Sequence, residues 1–382
     1  MRLISYFLAL VLSASLIFLL RGSPASPRCR HRGGGIGSKL KHSSVVQDDD
    51  LVAGLGISGR IQCRSSSGKP GATWISSSCG TESVGLVSLF VPPDRHSGEC
   101  DGSVVGGRVL RGLEKGYSVL RVFVESARLA MPNSQQLVLT DPAAVISTER
   151  LPAGISFQRV PGNYSRGNLM LQRLDSYIAF LDDQIKQVGK ADSLQHFIFA
   201  DSDMIVVGDL GCVFLEFPSF DVALTFRNNK EQPINSGMIF VRGSKDGLAK
   251  GKLLLQSVVD SYRRDFFRAS RMMGDQLAFA WVVRHFSDPL EDSFKQGKVF
   301  KSQVKGVEVL FLPCSSYNWT PAEGAGQFHG MPLDVKAIHF KGSRKRLMLE
   351  AWDSHKHQVA ATKDLLPLQC FVLKSGRSKY DF

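Results

Sequence analysis

Two aspartates one residue apart, Asp201 and Asp203, follow the short apolar run His196–Ala200 (HFIFA). Such a run reads as a buried strand, and parallel sheets bind ligands at the carboxyl ends of their strands. Two carboxylates placed there can hold a hard divalent cation and leave positions for water and phosphate oxygens. The competing reading is a solvated turn in which each Asp bonds nearby backbone. The pair alone does not separate these readings, so the other polar motifs matter.

Three more stand out. His339 follows Lys336-Ala337-Ile338 and opens the stretch His339-Phe340-Lys341-Gly342-Ser343-Arg344-Lys345-Arg346. A neutral imidazole at a strand end can ligate a transition metal. Gly342 lets backbone come close to a phosphate, and the cations around it can neutralise a diphosphate; a basic surface turn is the plainer reading. Asn235, Ser236 and Gly237 precede the apolar residues Met238–Val241 and could hydrogen-bond a polyol or form a turn. Asp275 and Gln276 follow Gly274 at a helix start, where an Asp caps the helix and faces its positive end, or aims a carboxylate into a cleft.

In the order D-x-D, N-S-G, D-Q and H-x-x-G-x-x-K, these motifs resemble nucleotide-sugar glycosyltransferases of the GT-A fold. The resemblance is to glycosyltransferase family 8 and the related plant family 77-like enzymes, over roughly residues 83–350. It implies a metal-dependent enzyme moving a sugar from a nucleotide-sugar, a UDP-sugar first, to a glycan, protein or small-molecule hydroxyl, with retention of configuration. It implies Mn²⁺, or Mg²⁺, on Asp201, Asp203 and His339, and the donor diphosphate on Gly342 and Lys345, with Lys341 or Arg344 assisting. Asn235, Ser236 and Gly237 would line the sugar and acceptor side. Asp275 and Gln276 would touch the donor sugar, and Arg166 is the basic residue placed to reach the donor. Asp203 and Asp275 are the catalytic expectations, Asp275 as the alternative nucleophile. Two departures bear on donor and base: Arg346-Leu347 stands where family 8 commonly has Pro-Trp, and the first strand ends in Pro92-Pro93. A catalytically inactive glycan- or nucleotide-sugar-binding relative is the alternative function.

The elements that must position these residues follow from periodicity. Val84–Val91, Leu137–Asp141, Ile155–Val160, Asp221–Phe226, Met238–Val241, Val307–Leu312 and Lys336–Phe340 read as strands. Val104–Ala130, Asn168–Lys186, Leu248–Arg263 and Asp275–Val283 have helical spacing. Alternating strands and helices, with early strands apolar throughout, predict an α/β fold: a mostly parallel, Rossmann-like (GT-A) sheet flanked by helices in a single catalytic domain. That domain is expected over 81–355, with a C-terminal tail over 356–382.

The 382 residues carry 47 Lys+Arg and 35 Asp+Glu, a net charge of +12. Seven of the basic residues and none of the acidic ones lie in residues 1–42, so 40 against 35 remain, or +5. The excess sits in the leader, and the body has no aromatic-basic platform, so a nucleic-acid partner is not expected. Leu3–Leu20 is uncharged and long enough to span a membrane. Residues 1–22 therefore read as a signal anchor and 23–80 as a stem, and Cys63, Cys79 and Cys100 mark a Gly/Ser-rich segment that disulfides could staple. A cleaved signal peptide, giving a secreted or ER-lumenal protein, is the alternative. The basic residues after the span favour a cytosolic body by the positive-inside rule. The anchor-stem-domain layout shared with glycan-building enzymes instead implies a type II Golgi protein with a luminal domain, which is the expectation adopted.

Overall fold

A computed structural model describes residues 54, 56–63, 83–92, 103–189, 196–269, 273–321 and 330–375. The expected anchor and most of the stem lie outside the described residues. Among those described, no helix is long and apolar enough to cross a membrane.

The centre is an eight-stranded sheet. Its strands are β1 (Val84–Leu89), β4 (Gln135–Thr140), β5 (Ile155–Arg159), β6 (His196–Ala200), β8 (Val222–Phe226), β9 (Ile234–Arg242), β10 (Phe300–Val304) and β11 (Val307–Pro313). They lie in the order β10-β11-β8-β9-β6-β1-β4-β5. Strands β5, β4, β1 and β6 pair in parallel, as do β8 and β11, while β9 runs against both its neighbours and β10 against β11. Two small ribbons complete the strands: β2 (Ser103–Val105) with β3 (Arg108–Leu110), and β7 (Met204–Val206) with β12 (Ala337–His339).

The period of two along each strand divides the core. Ile198 and Ala200 of β6, and Met238 and Phe240 of β9, face one side. There they meet α1 (Gly112–Ala130) and α8 (Lys345–Thr362). Phe197, Phe199, Ile239 and Val241 face the other side, against α2 (Leu169–Ile185), α4 (Lys245–Ser261) and α5 (Gly274–His285). Both faces are covered, which is why these strands read as unbroken apolar runs. Shorter helices are α3 (Cys212–Glu216), α6 (Glu291–Gln296), α7 (Cys314–Tyr317) and α9 (Leu366–Ser375). The result is the expected mixed α/β, Rossmann-like domain.

Two expectations need correction. Val104–Leu110 is a hairpin and not the first turns of a helix. Gly106 and Gly107 both have positive φ, at 53° and 77°, and two adjacent left-handed residues make the tight turn that joins twisted strands. Helix α1 starts only after this ribbon. The domain also continues past 355, because α8 runs through that point to Thr362. Helix α9 packs on it, with Leu368, Val372 and Leu373 buried, and Cys370 is disulfide-bonded to Cys63 across 307 residues of sequence. Cys212 is disulfide-bonded as well, whereas Cys314 carries a free thiol that burial pushes up to about 11.

Candidate metal and substrate site

Asp201 and Asp203 sit where β6 leaves the sheet. The Asp201 N–H donates to the Gly237 carbonyl at 2.9 Å, and the Phe340 N–H donates to the Asp203 carbonyl at 2.8 Å. The segment between β6 and β7 is thus pinned by β9 on one side and by the end of β12 on the other. Register then brings in the histidine, because β12 pairs antiparallel with β7 and places His339 opposite Met204. His339 Nε2 lies 3.1 Å from Asp203 Oδ1 and 3.7 Å from Asp201 Oδ2. One ligand atom from each of Asp201, Asp203 and His339 lies within 4.8 Å of the others.

The far side of the ring is fixed by a buried relay. His339 Nδ1 is 2.9 Å from Asn318 Oδ1. Asn318 Nδ2 donates to Thr225 Oγ1 at 3.0 Å, and that hydroxyl donates to the Asn235 carbonyl at 3.1 Å. Since the Asn318 amide nitrogen is spent on Thr225, its oxygen faces the ring, so Nδ1 donates. Nε2 then faces the aspartates, the orientation a metal-binding histidine takes. Nε2 and Asp203 Oδ1 meet lone pair to lone pair unless a cation, a metal ion or a proton, lies between them. The donor set therefore fits a divalent metal ion.

Gly237 supplies the room. A Cβ there would lie 2.6 Å from His339 Cε1 and 3.0 Å from Asp201 Oδ2, inside van der Waals contact of both. The β8–β9 register explains how Gly237 comes so near. It shifts between Leu224, opposite Ile239, and Thr225, opposite Asn235, so Ser236, Gly237 and Met238 bulge out of the pairing. Bulges of this kind re-aim side chains beside active sites. Asn235, Ser236 and Gly237 are therefore inside β9 and not ahead of it. Asn235 is 2% exposed; its Oδ1 accepts from the Gly237 N–H at 3.0 Å, which steadies the bulge.

Sequence reasoning missed a buried arginine. Arg173, on the second turn of α2, has a side chain only 5% exposed and pairs with both Asp201 and Asp275. It also donates to Ser236 Oγ at 3.1 Å, and Ser236 Oγ donates to Asp275 Oδ2 at 2.6 Å. Burial would lower the guanidinium's pKa, but Asp201 and Asp275 outweigh it and raise the value. The signal was a cation inside an apolar stripe, one turn before Tyr177 and next to Leu174. Arg166, the expected cation, is exposed in the turn before α2.

Asp275 lies in the first turn of α5, which Gly274 allows to approach closely: a Cβ there would lie 2.8 Å from the Phe266 carbonyl. Asp275 Oδ1 and Gln276 Oε1 are buried and have no hydrogen-bond partner among the described residues. Such acceptors cost stability unless something donates to them.

Lys345, the first residue of α8, places its ammonium on Asp203 Oδ2. Burial would raise the Asp203 carboxyl, but His339 and Lys345 outweigh it and hold the pKa well below the usual carboxylate range. Gly342, at φ +59°, takes the left-handed turn that starts the short helical stretch leading into α8. Lys341 is half-buried, and desolvation followed by the Arg227 charge lowers its pKa. The fold thus gathers Asp201, Asp203, His339, Gly237, Ser236, Asp275 and Lys345, with Arg173 added. No protein-family model matches the chain, and no curated protein matches it.

Proposed function

We propose that the chain is a metal-dependent glycosyltransferase of the GT-A type, acting on a nucleotide-sugar. The observation that carries the reading is the convergence of Asp201, Asp203 and His339 within 4.8 Å where β6 leaves the sheet, flanked by Lys345 and Arg173. A divalent ion on these three residues would supply Lewis-acid stabilisation of a leaving diphosphate. Lys345 and Lys341 would neutralise diphosphate oxygens, and the left-handed Gly342 would let backbone N–H groups approach them. Arg173 holds Asp201 and Asp275 in fixed positions, so neither carboxylate need reorganise when substrate binds. The open acceptors Asp275 Oδ1 and Gln276 Oε1 suit sugar hydroxyls. Retention is proposed, with Asp275 as the nearest candidate nucleophile.

The disulfides support a luminal placement, because such bonds persist in oxidising compartments. The Golgi membrane, with the N-terminal apolar stretch as anchor, is the proposed location, and a glycan or other hydroxyl compound is the acceptor. The test is a panel of UDP- and GDP-sugars assayed for Mn²⁺-dependent release of nucleoside diphosphate. Release from at least one donor, lost in Asp203→Asn, is expected. Nucleotide binding without turnover would favour an inactive relative instead.

A further inference from the structure

Two Asn-x-Ser/Thr triplets occur in the chain, at Asn163-Tyr164-Ser165 and Asn318-Trp319-Thr320, and the fold treats them in opposite ways. Asn163 is exposed in the turn between β5 and α2. That turn is held firmly. The Asn163 N–H donates to Gln172 Oε1 at 2.7 Å, and the Ser165 N–H donates to Asn163 Oδ1 at 3.1 Å. Tyr164 Oη donates to the Val160 carbonyl at 2.6 Å, and Asn168 Nδ2 donates to Ser165 Oγ at 3.0 Å. None of these bonds uses Asn163 Nδ2, the atom to which an N-linked glycan attaches. A sugar on Nδ2 would leave every one of them in place and extend into water.

Asn318 is the reverse case. It is 1% exposed, and both ends of its amide are used, Nδ2 on Thr225 and Oδ1 on His339. A glycan on its Nδ2 would have to lie in the core against the ring that faces Asp201 and Asp203. A chain modified there could not close the site.

We propose that Asn163 is an N-glycosylation site and that Asn318 stays unmodified. This rests on the luminal placement proposed above, where the disulfide between Cys63 and Cys370 points to an oxidising compartment and N-x-[ST] acceptors are modified. The donor is a lipid-pyrophosphate-linked oligosaccharide presented by the host transferase. The Asn163 Nδ2–C1 bond forms as the C1–O bond to the pyrophosphate breaks; the amide loses one proton and the lipid pyrophosphate leaves with the electron pair.

The experiment is expression of the full chain in a eukaryotic secretory cell, followed by treatment with an N-glycan-removing amidase and electrophoresis. A second sequon appended at the carboxyl terminus of an otherwise identical chain reports topology separately. The natural chain should shift by the mass of one glycan. Asn163→Gln and Ser165→Ala should abolish the shift, and Thr320→Ala should leave it unchanged. If the appended sequon is modified and Asn163 is not, the site is refuted while the luminal placement stands. If neither is modified, both fall. A shift that survives in Asn163→Gln also overturns the assignment.

Discussion

Arg173 offers the sharpest test of how the site is held. Replacing it with Met keeps much of the buried volume and removes the cation shared by Asp201 and Asp275. The cost is unequal between the two acids. The Asp201 side chain is 27% exposed, so water can reach it. The Asp275 side chain is 2% exposed and would keep only the Ser236 hydroxyl, at 2.6 Å. Breaking a buried pair by deleting one partner typically costs about 3–5 kcal/mol, because a buried charge is left uncompensated. Arg173→Met should therefore lose about 3–4 kcal/mol, nearly all of it through Asp275. Adding Asp275→Asn removes that orphaned charge and should return about 2 kcal/mol. The assay is urea unfolding followed by circular dichroism, read as a double-mutant cycle. A loss below about 1 kcal/mol for Arg173→Met, or strictly additive losses in the double variant, would refute this account of the buried network.

Other expected outcomes follow from single features. Gly237→Ala needs no unusual backbone, but its methyl would press on His339 and Asp201; Mn²⁺ affinity should fall at least about tenfold while unfolding stability changes by less than about 3 kcal/mol, measured by Mn²⁺ titration and urea unfolding. Cys370→Ser opens the Cys63 crosslink and should cost about 2–5 kcal/mol in the same unfolding assay. His196 stacks on Phe214, and burial, aided by the Arg242 charge, lowers its pKa from 6.5 to about 4. Above pH 6.5 both states are neutral there; between 6.5 and 4 only the unfolded chain takes up the proton, so stability falls with pH across that window and no further below it. With allowance for partial solvation the loss is about 1–2 kcal/mol, and His196→Gln should flatten that part of the stability-pH curve.

The apolar runs of β6, β8 and β11 were legible in the sequence because strands buried on both faces need no alternation. The ligands Asp201, Asp203 and His339 were legible as types at strand ends, but their meeting depends on the β7–β12 register, which no local pattern encodes. The bulge that carries Gly237 to the ligands was hidden for the same reason. Asn-Ser-Gly looks like a turn locally, and only pairing with β6 and β8 at once makes it a strand with a displaced centre. Arg173 is masked in the sequence because the α2 periodicity is dominated by its apolar residues. One charge in that stripe is meaningful only when its partners, 28 and 102 residues away in sequence, are known. The hairpin at Ser103–Leu110 looks helical in sequence because Val104, Val109 and Leu110 fit a helical spacing by accident, while Gly106-Gly107 carries the turn.

The central claim is that Asp201, Asp203 and His339 hold a divalent metal ion. Electron paramagnetic resonance of free Mn²⁺, titrated against the purified protein, tests it without reference to substrate. A single saturable site is expected in the natural chain, weakened at least about tenfold in Asp203→Asn and in His339→Ala. Unchanged Mn²⁺ binding in both variants would contradict the claim.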